Sequence, residues 1–162
     1  MAPMSKVIRL MTLFLLALPV AVAGGGFSSG EPVFGYSLMV AGAIVAIYAF
    51  VYLRMRPTRF EIEGKRLSII FPTRIIDVDL DDVVRAGPIT YEVFKRRYPR
   101  PIRLGAGGLF GGFGLLMTQN GKVQFYISRD EPLVLLEFES DRLPLLLSPS
   151  DPEAFLLAID GE

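Results

Sequence analysis

The sequence predicts an N-terminal transmembrane helical hairpin followed by an α+β domain of short antiparallel strands closed by one C-terminal helix. Three observations carry this expectation. Two apolar spans, Val7 to Ala23 and Phe34 to Leu53, are joined by a loop that contains no Lys or Arg. Beyond Pro57, alternating and β-branched runs are broken by turn residues about every eight positions. Ser148 to Glu153 then has the composition of a helix start.

The hairpin occupies residues 1–53. A bilayer core about 30 Å thick needs roughly 20 apolar residues at about 1.5 Å each. Phe34 to Leu53 meets that length without a charge. Val7 to Ala23 is shorter and carries Arg9, whose stem can reach the headgroups while Leu10 to Val22 stays in hydrocarbon. Pro19 removes one backbone hydrogen bond and kinks that helix. Lys6 and Arg9 precede the first span and Arg54, Arg56 and Arg59 follow the second, with only Glu31 between, so both ends are expected in the cytoplasm of a multi-pass inner-membrane protein. The same first segment also fits a cleaved signal peptide, with Ala21-Val22-Ala23 as the cleavage site. Either way the domain stays on the cytoplasmic side. Ser37 with Ala41 and Gly42 with Ala46 are small residues at four-residue spacing, suited to close packing against the first span or against a second copy.

Residues 54–57 are expected as an extended juxtamembrane linker and 58–162 as one domain, too small for two cores. Its strands are expected at Arg59 to Glu63, Arg66 to Phe71 and Arg74 to Leu80, the last with Ile76, Val78 and Leu80 on the buried face. Ala86 to Phe113 resists regular assignment because of Pro88, Pro99, Pro101 and its glycines. Gly114 to Thr118 and Lys122 to Ser128 flank the hairpin signal Gln119-Asn120-Gly121. Pro132 to Phe138 and Arg142 to Leu147 follow, and Pro144 points to a bent or edge strand. Ser150 or Asp151 caps a last helix, with Pro152 in its first turn and Ala154 to Ile159 as its apolar run. That gives seven strands and one helix.

The chain has no Cys and no His, which excludes Cys/His zinc sites, disulfides, thiol nucleophiles and His-based triads. Of its 17 basic and 17 acidic residues, Lys6, Arg9 and Glu31 lie in residues 1–53, so the chain after the hairpin is close to neutral and a nucleic-acid binder is not indicated.

Seven short strands closed by one helix resemble the pleckstrin-homology superfold, a seven-stranded antiparallel barrel or sandwich, and in particular the membrane-anchored bacterial PH-like proteins. The resemblance covers residues 58–160 and rests most on the glycine-rich Gly105 to Gly114 entering a strand and on Leu147 to Phe155 at the close. It implies a binding or scaffolding module without catalytic residues. Lys65, Arg66 and Arg74 do not complete the Lys/Arg-x-Arg phosphoinositide element, and the usual helix Trp is missing, Phe155 being the aromatic available in its place.

The strongest candidate contact surface is Tyr91 to Arg103, where Lys95, Arg96, Arg97, Arg100 and Arg103 alternate with Tyr91, Phe94 and Tyr98 against a single Glu92. Near an anionic leaflet each basic residue gains about 1 kcal/mol. The bland alternative is a solvated loop with its aromatics tucked onto the sheet. Asp130 to Glu162 holds nine carboxylates against Arg142 alone, an asymmetry that serves solubility or head-to-tail association. The glycine-rich loop, Gly105, Gly107, Gly108, Gly111, Gly112 and Gly114, fits neither G-x-G-x-x-G nor a P-loop, so its glycines read as tight turns, with Leu109, Phe110 and Phe113 free to bury or to meet the interface. Asp77, Asp79 and Asp81 read as a wet strand face rather than a cation site. No cofactor, metal or catalytic residue is expected. The expected function is a non-enzymatic, membrane-tethered module that contacts a protein partner or anionic phospholipid; the alternative is an accessory subunit of a membrane complex acting through its hairpin.

Overall fold

The computed structural model describes residues 3–28, 32–129 and 131–161. Glu31 in the inter-span loop, and Asp130 and Glu162 of the acidic segment, lie outside the described residues. Helix α1 runs Lys6–Ser28 and α2 runs Val33–Phe50, continuing through a π-helical turn at Val51–Met55. Both are long and apolar enough to cross a membrane. They pack on each other: Tyr48 Oη donates to Leu15 O at 2.9 Å, and Gly26 lies so close to Ser37 that no side chain fits there. Ser37 and buried Ala41 therefore serve the contact within the hairpin, while Gly42 faces open space.

The expected four-residue linker is shorter than the sequence suggests. Helical backbone persists to Met55, Arg56 is extended, and Pro57 is fully buried, so the chain enters β1 (Arg59–Glu63) almost directly.

Among the described residues nine strands form two sheets, rather than the expected seven strands. β1, β2 (Arg66–Ile70) and β3 (Ile75–Asp79) make an antiparallel meander. The second sheet has the order β4-β8-β9-β7-β6-β5, and the two sheets do not join into a closed barrel. Its strands are β4 (Val83–Ile89), β5 (Ile102–Gly107), β6 (Gly112–Thr118), β7 (Gly121–Ile127), β8 (Leu133–Phe138) and β9 (Leu145–Leu147).

The additional elements come from the stretch expected to be irregular and the three residues before it, Val83 to Arg85. β4 tolerates Pro88 because it is an edge strand, where a missing N–H breaks no second ladder. Helix α3 (Tyr91–Arg97) follows, capped by Thr90, and Pro99 and Pro101 fall between α3 and β5. The glycines are paired in register, Gly105 with Gly114 and Gly107 with Gly112. Gly105 (φ +146°) and Gly114 (φ +134°) each lie against the partner strand's carbonyl, which leaves no room for a Cβ.

The last strand also departs from expectation. It is only three residues long, because Pro144 stays outside it, and it sits mid-sheet, parallel to β7 and antiparallel to β8. Pro144 contributes its carbonyl, accepting from Gln124 N at 2.8 Å. Gln119 and Asn120 turn the chain between β6 and β7 as expected, with the positive φ taken by Gly121 rather than Asn120.

Helix α4 (Pro152–Asp160) closes the domain, with Asp151 accepting from Ala154 N and Gly161 ending the helix in the left-handed region. Two cores result from strand alternation. One lies between the sheets, with Leu67, Val78, Phe113, Tyr126, Leu136 and Phe155. The other lies on the opposite face of the large sheet, under α3, with Val123, Phe125, Leu135 and Leu146.

Candidate interaction surface

The run Tyr91 to Arg103 is not a loop: its first half is α3 and its end opens β5. Phe94 and Tyr98, one turn apart, point into the second core, and Phe94 is only 2 % exposed. Their rings lie 5.0 Å apart. The helix is tied down at three further points. Glu131 accepts from Tyr91 N at 2.9 Å, Arg97 bridges to Glu137 at 2.6 Å, and Asn120 Nδ2 donates to Arg97 O at 2.7 Å. Tyr98 Oη also donates to Glu137. Burial first, and then the Glu137 charge, holds the Tyr98 phenol above its ordinary range.

These contacts divide the eight candidate residues. Phe94, Tyr98 and Arg97 are structural. Tyr91, Lys95 and Arg96 remain outward, joined by Val93, whose 52 % exposure on a helix was not singled out from sequence. Arg96 meets Glu92 at 3.8 Å in an exposed i,i+4 pair worth a few tenths of a kcal/mol. Arg100 and Arg103 belong to a different part of the surface. Arg100 lies in the α3–β5 connection, and Arg103 lays its guanidinium 5.4 Å from the Phe125 ring and beside Gly107, where no side chain intervenes.

The glycine-rich segment is the joint between domain and hairpin. Gly108 to Gly111 form the β5–β6 turn, and Gly108 N donates to Gly111 O at 2.9 Å. Thr12, buried within α1, donates to Gly108 O at 3.1 Å and accepts from Phe110 N at 2.9 Å. Phe110 takes a left-handed conformation (φ +61°) and packs edge-on against Tyr52 at 5.2 Å. Arg56 lies over both rings, 5.3 and 5.4 Å from their centres. Leu109 and Phe113 are buried in the domain. Of the other juxtamembrane arginines, Arg54 is exposed in the π-helical turn and Arg59 pairs with Glu61 at 2.7 Å. The one sequence signal for the joint was Thr12, a lone hydroxyl inside an apolar span.

These contacts orient the sheet on α1. Ser5 N donates to Ser128 O, just past the end of β7, and Thr12 meets the β5–β6 turn. Seven helical residues rise about 10 Å, and two strand spacings are also about 10 Å. The axis of α1 thus follows the direction in which the strands stack, from β7 through β6 to β5. β5 is the strand of the large sheet nearest the apolar body of the hairpin, and α3, whose buried residues rest over β6 to β8, lies farther back.

The acidic residues of β3 are a solvated edge. Ser68 donates to Asp77 at 2.7 Å, Asp79 accepts from Asp81 N, and Asp81 pairs with Lys65 at 2.7 Å. No group of His, Cys, Asp or Glu able to hold a metal occurs among the described residues. In the acidic C-terminal segment, Glu131 and Glu137 fasten α3, and Asp151 caps α4.

No protein-family model matches this sequence, and neither a curated protein nor a solved structure matches it.

Proposed function

We propose that this chain is a non-enzymatic, membrane-tethered binding module that uses the outer face of α3 to hold a protein partner with an acidic surface close to the cytoplasmic side of the cell membrane. The observation that carries the reading is the division of labour on α3. Phe94, Tyr98 and Arg97 fix the helix, and Tyr91, Val93, Lys95 and Arg96 are left outward, two exposed apolar side chains beside two cations, of which Arg96 is shared with exposed Glu92. Apolar anchors rimmed by charge are the composition of a protein contact rather than of a purely solvated face.

A protein is favoured over the lipid leaflet for this face by its distance. α3 rests over β6 to β8, mostly one to four strand spacings from β5 along the hairpin axis, and its outward cations lie a comparable distance back. A spacing of about 5 Å per strand sets most of that face beyond the Debye length of about 8 Å. The orientation rests on Lys6, Arg9, Arg54, Arg56 and Arg59 at the open end of the hairpin. Retention of the first span is supported by the Thr12 and Ser5 contacts, which make α1 part of the domain's packing. Two sheets and a closing helix support the PH-like reading as architecture, and the parallel β7–β9 pair departs from it. The absence of Cys and His supports a binding role over catalysis.

A second reading is favoured by one feature of the hairpin. An apolar groove of about 900 Å³ runs between α1 and α2, lined by Leu16, Val20, Ala41, Val45 and Tyr48 and closed by Phe110, and it suits an accessory subunit that contacts a neighbouring membrane helix. Affinity purification of the full chain from membranes in mild detergent separates the two. Lys95→Glu with Arg96→Glu is expected to release the co-purifying partner while Val45→Trp, which fills the groove, retains it. The opposite pattern would replace the binding-module reading with the subunit reading.

A further inference from the structure

β5 is an edge strand, and the side chains it presents are not those of a protected edge. Ile102 is 67 % exposed and Leu104 is 52 % exposed, on the face that carries Ala106 into the core. Their register partners on β6, Met117 and Leu115, continue the strip. The three-stranded sheet covers the middle of the large sheet, and β5 with the outer half of β6 overhangs it. A bare edge with an apolar face is a pairing hazard in water, so something must cover it.

The depth of the hairpin says what. Thr12, in the first third of α1, sits level with the β5–β6 turn. From Tyr52, which packs on Phe110 of that turn, back to Val33 the second helix rises about 30 Å, the thickness of a hydrocarbon core. On the domain side of Thr12 the first turns of α1 stay largely exposed. Leu10 there is 71 % exposed, and Val7 and Met11 are exposed as well, so α1 carries bare apolar surface down to the level of β6. The strip on β5 stands at the same level as this bare segment.

We infer that β5 is a second membrane contact: the strip of Ile102, Leu104 and Met117 lies in the headgroup–acyl boundary of an anionic phospholipid bilayer, flanked by Arg100 and Arg103 for lipid phosphates. The inference rests on the reading of the hairpin as membrane-spanning. Depth is bounded from both sides. The unpaired N–H and C=O groups of the β5 edge need hydrogen-bond partners and so stay among headgroups, while the aliphatic side chains reach the upper acyl carbons. Arginine close to that boundary adds attraction to anionic headgroups without being buried in hydrocarbon.

The chain contains no Trp, so single substitutions act as unambiguous depth probes. The full chain is reconstituted in phosphatidylcholine–phosphatidylglycerol vesicles whose lipids carry bromine at shallow acyl carbons. Phe14→Trp reports on the hairpin, Leu104→Trp and Ile102→Trp on β5, and Val93→Trp on α3; all four native side chains are exposed, so folding is not at stake. The expected result is quenching of both β5 probes to at least about half the Phe14→Trp level, with Val93→Trp unquenched. Quenching of Phe14→Trp alone would overturn the β5 contact and leave the spanning hairpin standing. Quenching of Val93→Trp equal to the β5 probes would overturn the edge-first geometry. No quenching at Phe14→Trp would remove the spanning hairpin, and the β5 contact with it.

Discussion

Replacing Thr12 with Val tests whether the domain is fastened to the hairpin or only strung from it. Val matches Thr in shape and deletes one hydroxyl, which donates to Gly108 O and accepts from Phe110 N. Two hydrogen bonds at about 1 kcal/mol each, with an additional penalty for a partly buried N–H left without its acceptor, total about 2–3 kcal/mol. Phe110 adds a reason for the turn to give way, because its left-handed backbone costs about 1–2 kcal/mol and is held by that bond. The readout is amide hydrogen exchange of the full chain in lipid nanodiscs. In the Thr12→Val variant the Phe110 amide is expected to exchange roughly 30 to 150 times faster, each 1.4 kcal/mol being tenfold, while amides in β2 and β8 are unchanged. Thr12→Ser, which keeps the hydroxyl, should stay within a few-fold of the native rate. Native exchange at Phe110 in Thr12→Val would show that the hydroxyl does not hold the turn, and the orientation of the sheet on α1 would lose one of its two supports.

Two further outcomes concern the domain core. Phe155→Ala should lower the unfolding free energy of the domain by about 3–5 kcal/mol, since the ring is buried and packs against Phe60, whereas Leu157→Ala on the exposed side of α4 should change it by less than about 0.5 kcal/mol; chemical denaturation followed by circular dichroism compares them. Tyr126 lies between the sheets, where burial pushes its phenol above the ordinary value of 10.0. Its neutral form is thus favoured by folding, so its contribution is complete below about pH 10 and is lost as pH rises beyond that through the folded-state value. Denaturation midpoints measured across this range should fall less steeply in Tyr126→Phe than in the native chain.

What could be read in the sequence follows from how local each signal is. The hairpin, the β1–β3 meander, the Gln119–Gly121 turn and the Asp151 cap each depend on neighbouring residues, and each is present. β4, α3 and β5 were hidden because their punctuation misleads. Pro88 is harmless only on an edge, which is a property of the whole sheet, and paired glycines at 105 and 114 mark a close strand approach that looks like flexible loop until the register is known. The central position of β9 was illegible for the same reason: three leucines and a proline do not announce a parallel neighbour. Phe94 and Tyr98 stand among the basic residues in sequence, and only a helix separates inward from outward at that spacing.

The joint between hairpin and domain gives the remaining sequence features a common cause. A domain hung on a flexible linker would need no glycine-rich turn against α1, no polar residue inside an apolar span and no arginine between two rings at its exit. Here Thr12, Phe110, Tyr52 and Arg56 meet at one point, and Thr73 adds a bond to Leu53 O where α2 leaves. With both helices fixed to the sheets, the position of every strand along the hairpin axis is set by the helices' own rise. If the outward face of α3 holds a partner as proposed, a joint of this kind means that the cost of orienting that face is met when the domain folds rather than when the partner binds.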